Sequence, residues 1–213
     1  MKNIKLIVLA LAFLVVPSIA YAEGAGSELD ISNQNSEAGA SDYLIVDVSG
    51  GPAASSYPVE YTNTAPDLTG AGNLQYKTDK IVLKWISSGN FMMGSPDTEV
   101  GRTTSSENTH LVTHTRGFYM GVFEVTQQQY DNVIASKAEA FEFAGNATYP
   151  AERISWEDIR GTAGGGQDWP NNGHTALSTS FMGLLQSKTW LTFDLPTEAQ
   201  WEYACRAGTT GAL

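Results

Sequence analysis

The sequence predicts an α+β fold, poor in regular strands and rich in loops, and three observations carry that reading. Short β-rich runs recur along the chain, among them Tyr43–Val48 (YLIVDV) and Lys80–Ile86 (KIVLKWI). A Ser or Thr is followed three residues later by Gln or Asp at Thr126, Ser155 and Thr197, the pattern of a helix capping box. Between these signals, 21 Gly and 8 Pro punctuate the chain into short segments.

Composition narrows the function classes. The 213 residues are 42% hydrophobic and 10% aromatic, a globular rather than a disordered balance. Lys and Arg total 12 against 23 Asp and Glu, and a net charge of −11 argues against a nucleic-acid or anionic-membrane partner, since both demand a basic surface. A single cysteine cannot form an internal disulfide or supply a multi-cysteine zinc or iron–sulfur site. The length suits one domain with extensions.

Residues 1–22 read as a signal peptide. Lys2 and Lys5 form a basic start, Leu6–Val16 is an apolar run too short to span a bilayer, and Ala20-Tyr21-Ala22 offers a cleavage site. The expectation is an exported chain, periplasmic or secreted, with no membrane span and with this first stretch outside the fold. Residues 23–41 (EGAGSELDISNQNSEAGAS) are small, acidic and polar, a flexible leader that cannot bury enough surface to offset its ordering entropy. Residues 42–79 read as a short β-rich extension: Tyr43–Val48 is a strand and Val59-Glu60-Tyr61 its partner. All five tryptophans lie beyond it, so the main core is expected to start near residue 78.

From Lys80 the elements follow in order. Ile81, Leu83 and Trp85 alternate on a strand face. Ser87–Asn90 turns the chain into a second strand at Phe91–Gly94, and residues 95–108 form a long polar loop. His110–Thr115 alternates as a strand, and Phe118–Val125 is a strand with a kink at Gly121. Thr126 caps a helix running to about Ser136, and Ser155 caps one with Ile159 inward. Gly161–Gly173 is a glycine-rich excursion, and Ser178–Ser187 is a helix with Phe181, Leu184 and Leu185 as its stripe. Thr197 caps a last helix whose Trp201, Ala204 and Cys205 share a face, with Gly208 placed to end it.

Several of these segments, taken in order, resemble the formylglycine-generating enzyme, or sulfatase-modifying factor, family. They are Gly89–Pro96 (GNFMMGSP), Glu107 with His110 and Val112, Phe118–Thr126 with Tyr130, Tyr149-Pro150, Ile154-Ser155-Trp156, and Leu195–Gly208 (LPTEAQWEYACRAG). The resemblance implies a compact α+β fold related to C-type lectins, and assigns residues 80–213 to the N-terminal part of a sulfatase-modifying-factor domain. It implies that the complete protein is a copper-dependent oxidase that converts a sulfatase cysteine, in a C-x-P-x-R motif, to formylglycine with molecular oxygen, with structural calcium. The family's later N-V-W-E-W-like, R-G-G-S-W-like and G-F-R runs, and its pair of copper cysteines, do not occur in these 213 residues. The expectation is therefore a chain that lacks the catalytic half, with no catalytic, cofactor or metal residue of its own. The alternative is a non-catalytic, lectin-like binding module for carbohydrate or protein ligands.

The candidate residues have structural readings. Cys205, on the apolar face of its helix, is expected to pack in the core. His110 and His114 are about 13 Å apart on a strand, too wide for one zinc ion, and His174 has no evident partner. Glu198 complements a helix dipole, and Glu202 reaches Arg206 one turn on. Glu124 is expected to be buried and paired with Arg153 or Arg160. Gly164–Gly166 lacks the setting of a phosphate loop, and Asn146-Ala147-Thr148 is a glycosylation sequon.

Overall fold

The computed structural model describes residues 14–16, 40–99, 101–103, 106–135, 137, 140–161 and 176–209. Strands β1 (Leu14–Val16), β2 (Tyr43–Asp47), β3 (Val59–Thr62), β4 (Lys80–Ile86), β7 (Phe118–Gly121) and β8 (Thr192–Asp194) form one antiparallel sheet in the order β3-β2-β4-β7-β1-β8. Strands β5 (Gly89–Met93) and β6 (His110–His114) form a separate hairpin. The helices are α1 (Gln127–Val133), α2 (Trp156–Arg160), α3 (Phe181–Thr189) and α4 (Glu198–Arg206).

Strand register follows from the alternation in the sequence. Leu44 faces Leu83 and Val46 faces Ile81 across β2 and β4, so the apolar sets of both strands fall on the same side of the sheet. Leu44, Val46, Val48 and Leu83 are sealed from solvent and join Tyr130, Val133, Ile159, Phe181, Leu185 and Phe193 in one core. Tyr130 stacks flat on Phe181, with centroids 5.0 Å apart, which ties α1 to α3. The core therefore begins at residue 44, not near 78. The expectation rested on tryptophan positions, but the small aliphatics of β2 fill the space beside β4.

Along β7, Tyr119 enters this core, while Phe118 and Met120 point to the opposite face and meet Ile86, Tyr203 and Ala204. The sheet is thus covered on one face by α1, α2 and α3 and on the other by α4. That division places everything described below.

The capping boxes form as the sequence indicates. Thr126 accepts from Gln129 N at 3.3 Å and donates its own N–H to Gln129 Oε1 at 3.0 Å. Ser155 with Asp158, and Thr197 with Gln200, repeat the exchange. Helix α1 stops at Val133 rather than running to Ser136, because Ile134 turns extended (φ −100°, ψ 118°). Strand β7 stops at Gly121 rather than Val125, although Val122 N still reaches Val82 O at 2.9 Å. The glycine-rich run and His174 lie outside the described residues.

Residues 14–16 take a place that the reading of residues 1–22 as a segment outside the fold does not contain. They form β1, between β7 and β8. No described helix is long and apolar enough to cross a membrane.

Candidate functional site

Helix α4 lies against the β5–β6 hairpin, and one ion pair sets how it sits. Arg206 Nε donates to Glu202 Oε1 at 2.7 Å, as the spacing of one turn predicts. The same Oε1 accepts the N–H of Gly94 at 2.8 Å, and Arg206 Nη2 donates to the Gly94 carbonyl at 2.9 Å. A carboxylate and a guanidinium thus hold both polar groups of one peptide residue just past the end of β5. The pair is nearly closed off from solvent. Only glycine fits at position 94: its φ is +98°, and a Cβ there would lie 2.8 Å from Asn108 O and 2.9 Å from Glu107 O.

An aromatic cluster completes the contact. His114 lies 4.9 Å from Tyr203 and 5.9 Å from Phe91, nearly parallel to the latter, and its Nε2 approaches the Ala199 carbonyl at 3.3 Å. Tyr203 sits over the main chain of Gly89, where a Cβ would strike its hydroxyl. His114 is therefore a packing residue. His110, four positions earlier on β6, turns to its own loop, with Nδ1 3.0 Å from Asn108 O.

On either side of α4 the surface is hollow. The first hollow, about 690 Å³, opens between the hairpin and the C-terminal end of α4, lined by Trp85, Phe91, Met92, Pro96, Tyr203 and Arg206 among others. The second, about 500 Å³, opens over the end of β7, with Lys84, Met120, Phe123, Glu124, Trp201 and Cys205 on its wall. Ile86 and Ala204 line both and form the ridge between them. Both surfaces are mainly apolar, and Met92 (52%) of the first and Trp201 (42%) of the second stand exposed.

Two expectations need correction. Cys205 is exposed, not packed in the core. The inward stripe of α4 is Tyr203, Ala204 and Arg206, and the Trp201–Cys205 edge faces the second hollow. Glu124 has neither Arg153 nor Arg160 as partner, and makes no ion pair among the described residues. Arg160 is taken by Asp194, with Nε–Oδ1 at 2.7 Å and both side chains sealed, and Arg153 pairs with Glu142 at 2.8 Å on the surface. Glu124 instead lines the second hollow, as does Cys205. Sequence spacing cannot find this, because residues 124 and 205 come to line one hollow only through the packing of α4 on β7. Glu198 stands in the first turn of α4, where its charge suits the dipole. Asn146 is exposed and folds back on Thr148, accepting its N–H at 3.1 Å.

Copper held by soft ligands wants paired thiolates. Cys205 is the chain's one cysteine, so the residues present do not fit such a centre. No three His, Cys, Asp or Glu side chains gather into a metal-binding group among the described residues. What the geometry offers is a ridge between two mainly apolar hollows.

Comparison with known proteins agrees with this placement. The model of the sulfatase-modifying factor enzyme 1-like domain matches residues 71–213. The formylglycine-generating enzyme of Mus musculus is 26% identical over 152 residues, covering 60% of this chain and 40% of that protein. The Bos taurus formylglycine-generating enzyme is 24% identical over 152 residues, with the same coverage. The chain thus spans about 40% of the length of these curated relatives. No solved structure matches it significantly. The matched region holds the hairpin, the ridge and the four described α-helices, and the chain belongs to the family of sulfatase-modifying factor enzyme 1-like domains.

Proposed function

We propose that the complete protein is an exported formylglycine-generating oxidase, acting on a cysteine of a sulfatase, and that these residues supply the substrate-facing scaffold rather than the redox centre. The observation that carries the reading is the family match over residues 71–213, whose Leu195–Gly208 segment contains α4, the helix that brings Ala204 to the ridge. Copper and structural calcium belong to this proposal for the complete protein only, as does the relation of the fold to C-type lectins. Export through cleavage after Ala22 is part of the same reading.

The test begins with the coding DNA beyond codon 213. The protein encoded by the uninterrupted frame is then incubated in air, with and without added copper, with a C-x-P-x-R peptide. Conversion of the cysteine to an aldehyde, read by mass spectrometry and dependent on copper, is the expected result. Unchanged peptide under all conditions overturns the oxidase reading. Edman sequencing of the exported protein should begin at Glu23.

A second reading, a non-catalytic binding module for carbohydrate or protein ligands, is favoured by one observation: the walls of both hollows are mainly apolar. Saturable binding of a peptide or glycan without chemical change identifies it.

A further inference from the structure

Strands β7 and β8 both run antiparallel to β1, so they are parallel to each other and separated by one strand's width. Two inter-strand spacings amount to roughly 9.5 Å, too far for any hydrogen bond between them. Each of them is also held by contacts other than β1. On one side, β7 is held to β4 in register, with Trp85 opposite Tyr119. On the other, β8 is anchored by Phe193, sealed in the core, by Asp194 in its ion pair with Arg160, and by Gln186 Nε2 donating to Phe193 O at 2.8 Å. The core therefore fixes two strand edges at a distance that only a third strand can bridge, and unpaired strand edges are the template that recruits one.

We infer that the gap between β7 and β8 is a strand-acceptor site for one short, extended apolar segment, filled here in cis by Leu14–Val16 and open to exchange with a peptide of the same chemistry. Recognition is by main-chain pairing, with Leu14 opposite Met120 and Asp194, Val15 opposite Tyr119 and Phe193, and Val16 opposite Thr192. A Leu-Val-Val segment has the extended, branched character that such a slot selects. The inference does not rest on the proposed oxidase activity. It also gives the N-terminal processing a structural consequence: a chain cut after Ala22 would present the slot empty.

The test uses the full chain with residues 1–22 retained. In V15P, the strand loses a ladder donor and its pairing geometry. Amide hydrogen exchange at residues 192–194 should then speed up at least tenfold. A synthetic peptide of residues 10–18 with a solubilising basic tail should restore protection saturably, and the same peptide carrying proline at position 15 should not. Unchanged exchange in V15P overturns the inference, and so does lost protection that the peptide fails to restore, which would make β1 a fixed part of the sheet. Should V15P lose its tertiary structure, the C205S/V16C/T192C chain decides. Mild oxidation of the folded protein should join positions 16 and 192, located by peptide mapping, and absence of that cross-link overturns the placement.

Discussion

Arg160 and Asp194 meet through two hydrogen bonds, Nε to Oδ1 at 2.7 Å and Nη2 to Oδ2 at 3.0 Å, with neither side chain reaching solvent. The pair joins the end of α2 to β8, and Asp194 Oδ1 also accepts the N–H of Leu195 at 2.8 Å. A charge pair taken wholly out of water stabilises only while both partners are present.

Removing one partner is therefore far more harmful than removing both. Arg160→Met should cost about 3–5 kcal/mol, because it strands a buried carboxylate. The double replacement R160M/D194L should recover much of that loss. Urea unfolding of the two variants measures the difference, and equal losses would argue against the buried pairing.

Glycine at position 94 should be irreplaceable. Gly94→Ala forces a Cβ against the carbonyls of Glu107 and Asn108 at a φ of +98°, at a cost of about 1–3 kcal/mol of strain. Glu202→Ala removes the acceptor of Arg206 Nε and of the Gly94 N–H together, and should loosen the hairpin without disturbing β2 and β4. Hydrogen exchange along Gly89–Met93 and Lys80–Ile86 separates the two regions, and uniform protection in E202A would refute the clamp.

Cys205 should react in the folded state. Its thiol is exposed, so a maleimide should label it stoichiometrically without denaturant, at a rate within a few-fold of the unfolded chain. A protected thiol that labels only after unfolding would restore the core placement that the apolar helix face suggests.

Alkaline pH should destabilise the fold through its buried tyrosines. Burial pushes the Tyr57 and Tyr119 hydroxyls up from 10.0 to about 12, and raises Tyr130 as well. A group whose folded value lies above its unfolded one contributes stability that is complete below pH 10 and lost as pH climbs to about 12. Lys188, lowered by burial from 10.5, works in the opposite sense, its cost easing as pH rises toward that value. Three tyrosines outweigh one lysine, so stability should fall across this window. Thermal unfolding at stepped pH measures it, and Tyr119→Phe, which also loses the 2.8 Å bond to Ser41 O, should flatten the pH dependence.

Much of the secondary structure was legible along the chain, and the reasons are local. Thr126, Ser155 and Thr197 start helices because each finds its partner three residues away, within reach of a single turn. Tyr43–Val48 and Lys80–Ile86 declare their strands by β-rich apolar runs, with Ile81, Leu83 and Trp85 on one face. The Glu202–Arg206 pair is equally local, being one helical turn.

The site was not legible, because its contacts span the chain. Gly94 meets Glu202 across 108 residues, and Arg160 meets Asp194 across 34. Charge alone offered Arg153 or Arg160 to Glu124, and only the docking of α2 beside β8 gave Arg160 to Asp194. Cys205 looked buried because a helix pattern reports which face is apolar, not whether anything covers it. By itself, the sequence determined the family motifs, the helix starts and the strand faces, all set by neighbours within a few residues. Tertiary structure alone decided which carboxylate holds which arginine and which apolar face stays open, because those choices depend on how separate elements are stacked.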